Sequence, residues 1–140
     1  MSLEDHKEMS RRAIEMWASN NKGTPEDVLS DNYVNHQESD VKGSADIRSL
    51  ESWKELVADF HKGFSNCTTI CLMQISEGEL VATRFEFTAT NTGEYLGQPP
   101  TGKEVTWTGI EIDRFENGKI AESWVDWDKY SFFQGLGFLK

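Results

Sequence analysis

The chain contains, at residues 105–128, the stretch VTWTGIEIDRFENGKIAESWVDWD, and this stretch decides the fold. Its centre is Asn117-Gly118, a dipeptide that favours a type I′ turn because both positions tolerate a positive φ. The flanking residues are rich in β-branched and aromatic side chains, which are typical of strands. We therefore predict a long antiparallel hairpin with strands at residues 105–115 and 119–128.

Regular pairing outward from this turn puts one set of side chains on a shared face of the hairpin. Asp113 is expected opposite Glu122, and Glu111 opposite Trp124. The other face would carry Ile110, Ile112, Val125 and Trp127. A β-bulge would shift this register. The complete expected shared face is Trp107, Glu111, Asp113, Phe115, Ile120, Glu122, Trp124, Asp126 and Asp128.

The five carboxylates on this face allow two interpretations. In the first, the face is solvated and the acids only add solubility, since carboxylates mostly sit in water. In the second, the face lines a cleft, and burial raises the pKa of one carboxyl group into a range useful for catalysis. Like charges directly opposite each other are unfavourable unless water screens them or one group keeps its proton. The pattern alone leaves both interpretations open.

Length and composition indicate one globular domain that spans residues 1–140. A chain of 140 residues has the size of a typical single domain, about 100–150 residues. Its hydrophobic fraction of 37% and aromatic fraction of 11% exclude a disordered polymer. The formal charge of −10, without a local basic patch, argues against nucleic acid and anionic membrane surfaces as partners. A neutral or cationic small molecule is easier to accept.

The sequence predicts no membrane segment, targeting peptide or cofactor site. No apolar run approaches the roughly 20 residues that span a bilayer, and residues 1–5 lack the features of a signal peptide, so we expect a cytoplasmic protein. Cys67 and Cys71 lie four residues apart in a predicted strand, about 13 Å at the strand rise, so we expect free buried thiols. No nucleophile motif, phosphate loop or histidine-cysteine cluster is present, so we expect neither a metal nor a cofactor.

Helical patterns dominate the first half of the chain. Apolar residues at intervals of three and four predict helices at residues 3–20 and 49–62. Thr24-Pro25 predicts a short helix that continues through residue 29. We expect a short strand at residues 33–37 and a loop at 38–48.

Strand patterns dominate the second half. Alternating residues at 67–75 and 80–90 predict a hairpin before the one already described. A loop at residues 91–104 joins the two hairpins, and it either covers a site or only crosses the surface. Helices followed by a four-stranded antiparallel meander predict an α+β domain in which a curved sheet wraps a helix.

Two segments are distinctive, PPTGK at 99–103 and GIEIDRFENGKIAESW at 109–124, and they are supported by DNYVNH at 31–36, the helix around Trp53 and QGLG at 134–137. With these segments the chain resembles the SnoaL-like polyketide cyclases of the nuclear transport factor 2-like superfamily. The resemblance covers nearly the whole chain. It implies a cone-shaped, strongly curved antiparallel sheet wrapped around N-terminal helices, a cystatin-like α+β barrel, with an apolar pocket inside. It also implies a homodimer through the outer sheet face, where Ile110, Ile112, Val125 and Trp127 would form the contact.

The resemblance also implies a catalytic acid. In the cyclases an aspartate four residues after the motif tryptophan acts as acid and base in an aldol closure, and the matching residue is Asp128, with Asp126 as the nearby substitute. Flanking tryptophans would desolvate Asp128 and raise its pKa. Alternatively, Asp128 caps a final helical turn that begins at residue 129. Family members often carry histidines where this chain has Asn91 and Asp113.

Three functions are compatible with these observations. The first is a cofactor-independent cyclase or isomerase that acts on a hydrophobic carbonyl or polyketide-like compound by carboxylate acid/base catalysis. The second is a binding or dimerisation module of the same fold without turnover, and the third is an epoxide-hydrolase-like enzyme that activates water. In each case the expected substrate-binding residues are Tyr33, His36, Trp53, Trp107, Glu111 and Trp124.

Overall fold

The computed structural model of the protein describes residues 1–37 and 47–139. Most of the predicted loop at 38–48 lies outside the described residues. The helices are α1 (Leu3–Glu15), α2 (Leu50–Gly63) and α3 (Lys129–Leu136), with a single 3-10 turn at Pro25–Asp27. The strands are β1 (Leu29–Gln37), β2 (Ile47–Ser49), β3 (Phe64–Glu77), β4 (Leu80–Asn91), β5 (Glu104–Glu116) and β6 (Lys119–Trp127).

The strands form one curved, open sheet in the order β2-β1-β6-β5-β4-β3. All neighbours are antiparallel except β1 and β6, which are parallel. The α+β class and the curved sheet against helices are confirmed. The predicted four-stranded antiparallel meander is present as β3-β4-β5-β6, and β1 and β2 extend the sheet beyond β6. The polar run at residues 30–32 hides the first half of β1 from an alternation pattern.

Local capping explains where the helices begin. Ser2 caps α1: its hydroxyl accepts a hydrogen bond from the Asp5 amide at 3.1 Å, and the Asp5 carboxylate accepts one from the Ser2 amide at 3.0 Å. Ser49 caps α2 by accepting a hydrogen bond from the Ser52 amide at 3.2 Å. Helix α1 ends at Glu15, five residues before the predicted end, and the chain continues in turns.

An aromatic core fills the space between the sheet and the helices. Trp17 packs edge-on against Trp53 and Phe60, with ring centroids 6.0 and 5.6 Å apart. Phe132 of α3 packs against Trp107 of β5 at 4.7 Å. Such aromatic pairs add directional attraction to the burial of apolar area. The inner face of the sheet and the apolar faces of all three helices therefore share one core.

The β5–β6 hairpin contains the turn that the sequence predicts. Asn117 and Gly118 have φ values of 51° and 79°, as a type I′ turn requires. Phe115 pairs with Ile120, also as predicted, but the next pair is Arg114 with Glu122. One residue of β6, Ala121, is therefore extra, and it forms a β-bulge.

The bulge reverses the faces of β6 beyond Ala121. Asp113 pairs with Ser123 and Glu111 pairs with Val125, so the predicted pairs of Asp113 with Glu122 and Glu111 with Trp124 are wrong. The inward side chains of β6 are Ser123, Val125 and Trp127, while Glu122, Trp124 and Asp126 face outward. The face of β5 agrees with the prediction, because the bulge lies in the other strand.

Two further features agree with the sequence. Cys67 and Cys71 are free thiols, the first buried and the second half-buried. Burial raises the pKa of the Cys67 thiol to about 12. Within the described residues, every helix is too short or too polar to cross a lipid bilayer.

Candidate functional site

A cavity of about 250 Å³ opens between the sheet and the helices. Its walls are largely aromatic and come from all three helices, from β1, β2, β4, β5 and β6, and from the loop after β4. Gln37, Arg48 and Ser52 contribute polar side chains to the wall. The main apolar wall residues are Ile14, Trp17, Leu56, Phe60, Phe85, Phe87, Tyr95, Trp107, Val125, Trp127 and Phe132.

Glu111 brings a carboxyl group into this apolar cavity. The side chains of Glu55 and Asp59 also line the cavity but are exposed, so they belong to its mouth. Glu111 is only 8% exposed. Its pKa is raised well above the ordinary value, first by burial, then by the negative charge of Asp113 and the hydrogen bond to it. Burial and the neighbouring acid therefore both favour the protonated form of Glu111.

Asp113 lies behind Glu111 on the same face of β5 and is fully enclosed. The Ser123 hydroxyl donates a hydrogen bond of 2.6 Å to Asp113 Oδ1. Burial raises the pKa of Asp113, while the hydrogen bonds from Glu111 and Ser123 oppose this rise by stabilising the charged form. The two carboxyl groups therefore share an environment in which two negative charges are unfavourable, and we expect a single proton on the pair.

Tyr33 and Asn35 extend this polar cluster onto β1. The Asn35 amide donates a hydrogen bond to the Tyr33 hydroxyl at 2.9 Å, and both side chains are buried. Burial is the main cause that raises the pKa of Tyr33 well above its ordinary value, and the charges of Glu111 and Asp113 add to it. The Tyr33 hydroxyl therefore stays protonated beside the acids.

Three of the predicted substrate-binding residues have their expected faces. Trp107 and Glu111 line the cavity. Tyr33 points inward but lies behind the cavity wall with the acid pair. Trp53 is buried in the core, where it packs edge-on against Tyr33 at 6.3 Å, and it is not one of the wall residues.

His36 and Trp124 lie on the outer face of the sheet, so their expected place in the pocket is wrong. Their rings stack with centroids 5.5 Å apart and planes within 7°. His36 Nε2 lies 2.8 Å from Glu122, which also accepts a hydrogen bond from Arg114 at 3.2 Å. The reason is the bulge at Ala121, which turns Trp124 and Glu122 outward.

The expected burial of Asp128 is also wrong. Asp128 is exposed, and its carboxylate accepts a hydrogen bond from the Ser131 amide at 3.0 Å, which makes it the N-cap of α3. This hydrogen bonding lowers its pKa, the reverse of the expected direction. Asp126 is exposed on the outer face, opposite Ile110. Neither carboxylate lines the cavity, so the alternative interpretation of Asp128 as a helix cap is the correct one.

Most of the aromatic wall was not selected by sequence reasoning, although part of it carried a signal. The alternation at residues 80–90 puts Phe85 and Phe87 on one face, and both line the cavity. Gly109 makes room for this wall, since a Cβ there would lie 2.4 Å from Phe85 Cζ. The contribution of Phe132 depends on how α3 folds back, and no local pattern indicates that.

Asn91 has a structural role. Its side-chain nitrogen donates hydrogen bonds to the carbonyls of Gly63 at 2.9 Å and Gly93 at 3.0 Å. Its side-chain oxygen accepts one from the Thr101 amide at 2.8 Å. Asn91 thereby anchors both ends of the loop that supplies Tyr95 to the cavity.

The donor set does not resemble a metal centre. In residues 1–37 and 47–139, no group of three or more histidine, cysteine, aspartate or glutamate side chains is arranged to hold a metal ion. Glu111 and Asp113 are the two buried carboxyl groups of this region among the described residues. The arrangement is suited to holding and transferring a proton.

Comparison with known proteins identifies the family of the chain and solved structures with a similar fold. The family model for the SnoaL-like polyketide cyclases matches residues 7–136. AclR from Streptomyces galilaeus, a proposed hydroxylase, is 25% identical, with a TM-score of 0.84 over 99% of this chain and 84% of that one. IdmH from Streptomyces antibioticus, a proposed polyketide cyclase, is 24% identical, with a TM-score of 0.80 over 94% and 98%. No curated protein sequence matches the chain.

A third solved structure extends over both chains completely. It is a proposed polyketide cyclase from Acidithiobacillus ferrooxidans, 20% identical, with a TM-score of 0.80 over 100% of each chain. At this identity the likeness concerns the fold. The curved sheet and its helices are therefore retained in proteins whose sequences differ at most positions.

Proposed function

The chain belongs to the SnoaL-like polyketide cyclase family, and from that premise we propose that it is a cofactor-independent enzyme that transfers protons on an apolar carbonyl compound. The reaction class is a cyclisation or isomerisation through an enol, and the substrate is a compact, polyketide-like ring compound. The observation that carries the proposal is the buried carboxyl group of Glu111 in the aromatic cavity.

The aromatic wall supports this choice of substrate class. Aromatic and aliphatic side chains bind flat apolar molecules through burial and ring packing, and a few polar groups set the orientation. A cavity of about 250 Å³ is smaller than the roughly 300–1,000 Å³ typical of sites for drug-sized ligands. A compact ring system with its carbonyl end toward Glu111 fits these limits.

The chemistry of Glu111 supports proton transfer. A general acid or base works best when its pKa lies near the working pH, and desolvation is the usual means of raising a carboxyl group to that range. The pKa of Glu111 is raised by burial and by Asp113, whereas that of the exposed Asp128 is lowered. The proposed catalytic residue is therefore Glu111, and Trp107 helps to form the binding wall.

A model reaction tests this proposal without knowledge of the natural substrate. We expect the protein to accelerate exchange of the α-hydrogens of 2-tetralone, a bicyclic apolar ketone, with deuterium oxide, as followed by proton NMR. Glu111→Gln should reduce the rate at least about 100-fold, the lower range for loss of a general acid/base. The matched control is Glu104→Gln, an exposed glutamate on the same strand, which should keep the rate. Activity lost in Asp128→Asn but retained in Glu111→Gln would contradict the proposal.

A second candidate function is a binding module without turnover. One observation favours it: none of the three histidines of the chain is among the described residues that line the cavity, so no imidazole assists the carboxyl group there. Under this reading 2-tetralone binds and quenches tryptophan fluorescence, but its α-hydrogens exchange no faster than in buffer. The same samples therefore discriminate the two functions.

We further propose that the protein forms a homodimer through the outer sheet face. The inward turn of Val125 and Trp127 changes the predicted contact residues, but Ile110 and Ile112 stay outward and are 48% and 39% exposed. The exposed apolar side chains of this face include Ile70, Met73, Ile75, Leu80, Ile110, Ile112 and Trp124.

A sheet face with this many exposed apolar side chains can be covered by a second copy around a two-fold axis. Sedimentation equilibrium should show a dimer for the native chain and a monomer for Ile112→Glu. A monomeric native chain at micromolar concentration would refute the proposed homodimer.

The proposed cellular location is the cytoplasm. Its support is the pair of free cysteine thiols, which fits a reducing compartment. Fractionation of cells that express the protein at its native level should recover it with cytoplasmic markers. Recovery with membranes or outside the cell would contradict this.

A further inference from the structure

A Glu111 side chain that already holds a proton raises a question about the proposed reaction. Abstraction of a proton from the carbon next to a carbonyl needs a base that does not become positively charged when it accepts that proton. A protonated carboxyl group would become positively charged if it accepted a second proton and kept the first. Some other group must therefore receive the proton that Glu111 already holds.

Asp113 is in position to receive it. The two residues are separated by one position on β5, so their side chains share the inner face. The hydrogen bond between the two carboxyl groups raises the pKa of Glu111 and opposes the rise in the pKa of Asp113, so it favours the proton on Glu111 and the charge on Asp113. Ser123 on the neighbouring strand donates a 2.6 Å hydrogen bond to Asp113 Oδ1, and this contact stabilises the negative charge there.

Enclosure separates the roles of the two acids. Glu111 lines the cavity, whereas Asp113 has no exposed surface and is absent from the described cavity wall. A substrate in the cavity can thus meet Glu111 but cannot meet Asp113. Any influence of Asp113 on the reaction must pass through the carboxyl group of Glu111.

Polar side chains surround Asp113 inside the fold. Ser10 of α1 faces Asp113, and its hydrogen bonding favours the charged form of that carboxyl group. Asn35 pairs with Ser123 across the β1–β6 boundary, and its buried Oδ1 has no hydrogen-bond partner among the described residues. Asp113 therefore lies in an enclosed, polar part of the fold.

We propose that Asp113 is a positioning residue that accepts the proton of Glu111 while Glu111 takes up a proton from the substrate. The idea rests on the proposed function. The substrate C–H bond breaks, and its proton bonds to the Glu111 oxygen that faces the cavity. The proton on the other Glu111 oxygen bonds to Asp113, and the electron pair of the C–H bond remains on the substrate as an enolate. The pair changes from one negative charge to none, and the substrate gains that charge, so atoms and charge balance.

Among the described residues, the groups that interact with Asp113 are carboxyl and hydroxyl groups. Glu111 faces it from β5, Ser123 from β6 and Ser10 from α1, and the Tyr33 hydroxyl of β1 lies near both acids. His6 of α1 is one turn from Ser10 and stacks on Phe115 at 4.2 Å. Thr83 of β4 is buried near this level of the sheet, and its hydroxyl bonds to Gln74 at 3.2 Å.

A titration of the carboxyl groups tests the role of Asp113 without any substrate. Protein labelled with ¹³C at glutamate and aspartate side-chain carboxyl carbons is followed by NMR as the pH is raised. The native pair should titrate in two separate steps, as coupled groups do. Asp113→Asn should leave one step for Glu111, at a lower pH than the upper native step, because the neighbouring charge is gone. An unchanged Glu111 titration in Asp113→Asn would overturn the proposal.

A second variant, Ser123→Ala, tests the proposal even if Asp113→Asn folds poorly. Ser123→Ala removes the donor that stabilises charged Asp113, so the pair should bind its second proton at a higher pH than in the native protein. Asp31→Asn, a change of an exposed aspartate on β1, should leave the titration of the pair as it is. If Ser123→Ala leaves both steps of the pair unmoved, Asp113 is not the charged member and the proposal fails.

The model reaction separates this proposal from the proposed function. For 2-tetralone exchange, Asp113→Asn should lower kcat at least about 100-fold with little change in KM, since it keeps the cavity wall, and Asp113→Glu should restore part of the rate. A native protein that shows the two-step titration but no exchange refutes the enzyme function alone. Exchange that survives Asp113→Asn with an unaltered pH profile refutes the role of Asp113 alone.

Discussion

The inner and outer faces of the β5–β6 hairpin carry the same kinds of acid in opposite states. On the inner face, Glu111 and Asp113 are buried together and their pKa values are raised. On the outer face, hydrogen bonds from His36 and Arg114 lower the pKa of Glu122. The difference shows that neighbours and water, and not the residue type, decide whether a carboxyl group here can hold a proton.

A single inserted residue produces this division. Without the bulge at Ala121, regular pairing would bring Glu122 opposite Asp113 on the inner face, and three carboxyl groups would compete for one enclosed space. The bulge instead brings Ser123 there, and its hydroxyl satisfies Asp113 at 2.6 Å. The neutral hydroxyl of Ser123 thus lies where regular pairing would put the like charge of Glu122, so Asp113 has no carboxylate directly opposite.

Deletion of Ala121 should have the largest effect on the difference between the two faces. A shift by one residue sends every side chain of β6 beyond this point to the other face, so Glu122 and Trp124 would turn into the core. We expect the free energy of unfolding to fall by more than about 4 kcal/mol, or folding to fail altogether, because several such errors occur together. Urea unfolding followed by circular dichroism measures this loss.

A variant that keeps the chain length provides the control. Ala121→Gly retains the bulge and should cost about 1 kcal/mol, the usual cost of glycine in a strand or helix. If the deletion were as mild as this substitution, β6 would tolerate both registers, and the bulge would not determine the two faces.

The same bulge separates what the sequence predicts from what it does not. Asn117-Gly118 specifies the turn, and the alternation of β5 identifies Glu111 and Trp107 as inward residues, because turn geometry and a two-residue period are local properties. A bulge has no comparable local signature in this sequence. The faces of Trp124 and Asp128 therefore could not be derived, and the resemblance to a family did not correct them.

The site shows a similar limit. Glu111 was an expected substrate contact, but its partnership with Asp113 depends on Ser123 and on the enclosure by α1, which join segments distant in sequence. Phe132 reaches the cavity only because α3 folds back over β5. Contacts of this kind are set by tertiary packing, and a single sequence carries little information about them.

A smaller effect should appear in the dependence of the free energy of unfolding on pH. The pKa of Glu111 is raised in the folded chain, so the folded state binds more protons than the unfolded state above the ordinary glutamate pKa. Stability is then greatest at acid pH with respect to this group and falls as the pH rises toward the folded pKa. Glu111→Gln should remove that fall, and its gain in unfolding free energy over the native chain should increase with pH.

Urea unfolding at several pH values from about 4 to about 9 measures this dependence. Asp113→Asn should give a gain of the same sign, because the pKa of Asp113 is also raised. Glu104→Gln, an exposed change on the same strand, should leave the slope unaltered. If the native chain and Glu111→Gln showed the same dependence of stability on pH, Glu111 would have an ordinary pKa and the expectation would be wrong.

The smallest effect should come from Asp128, whose carboxylate stabilises α3 from outside the cavity. Asp128→Ala removes the hydrogen bond to the Ser131 amide, and loss of an N-cap typically costs about 1 kcal/mol. Asp128→Ser, which can still cap the helix, should recover most of this loss. Because the folded pKa of Asp128 is lowered, its contribution is present above the ordinary aspartate pKa and disappears as the pH falls. Exchange of 2-tetralone should proceed at the native rate in the serine variant, so Asp128 differs from Glu111 in affecting stability without affecting turnover.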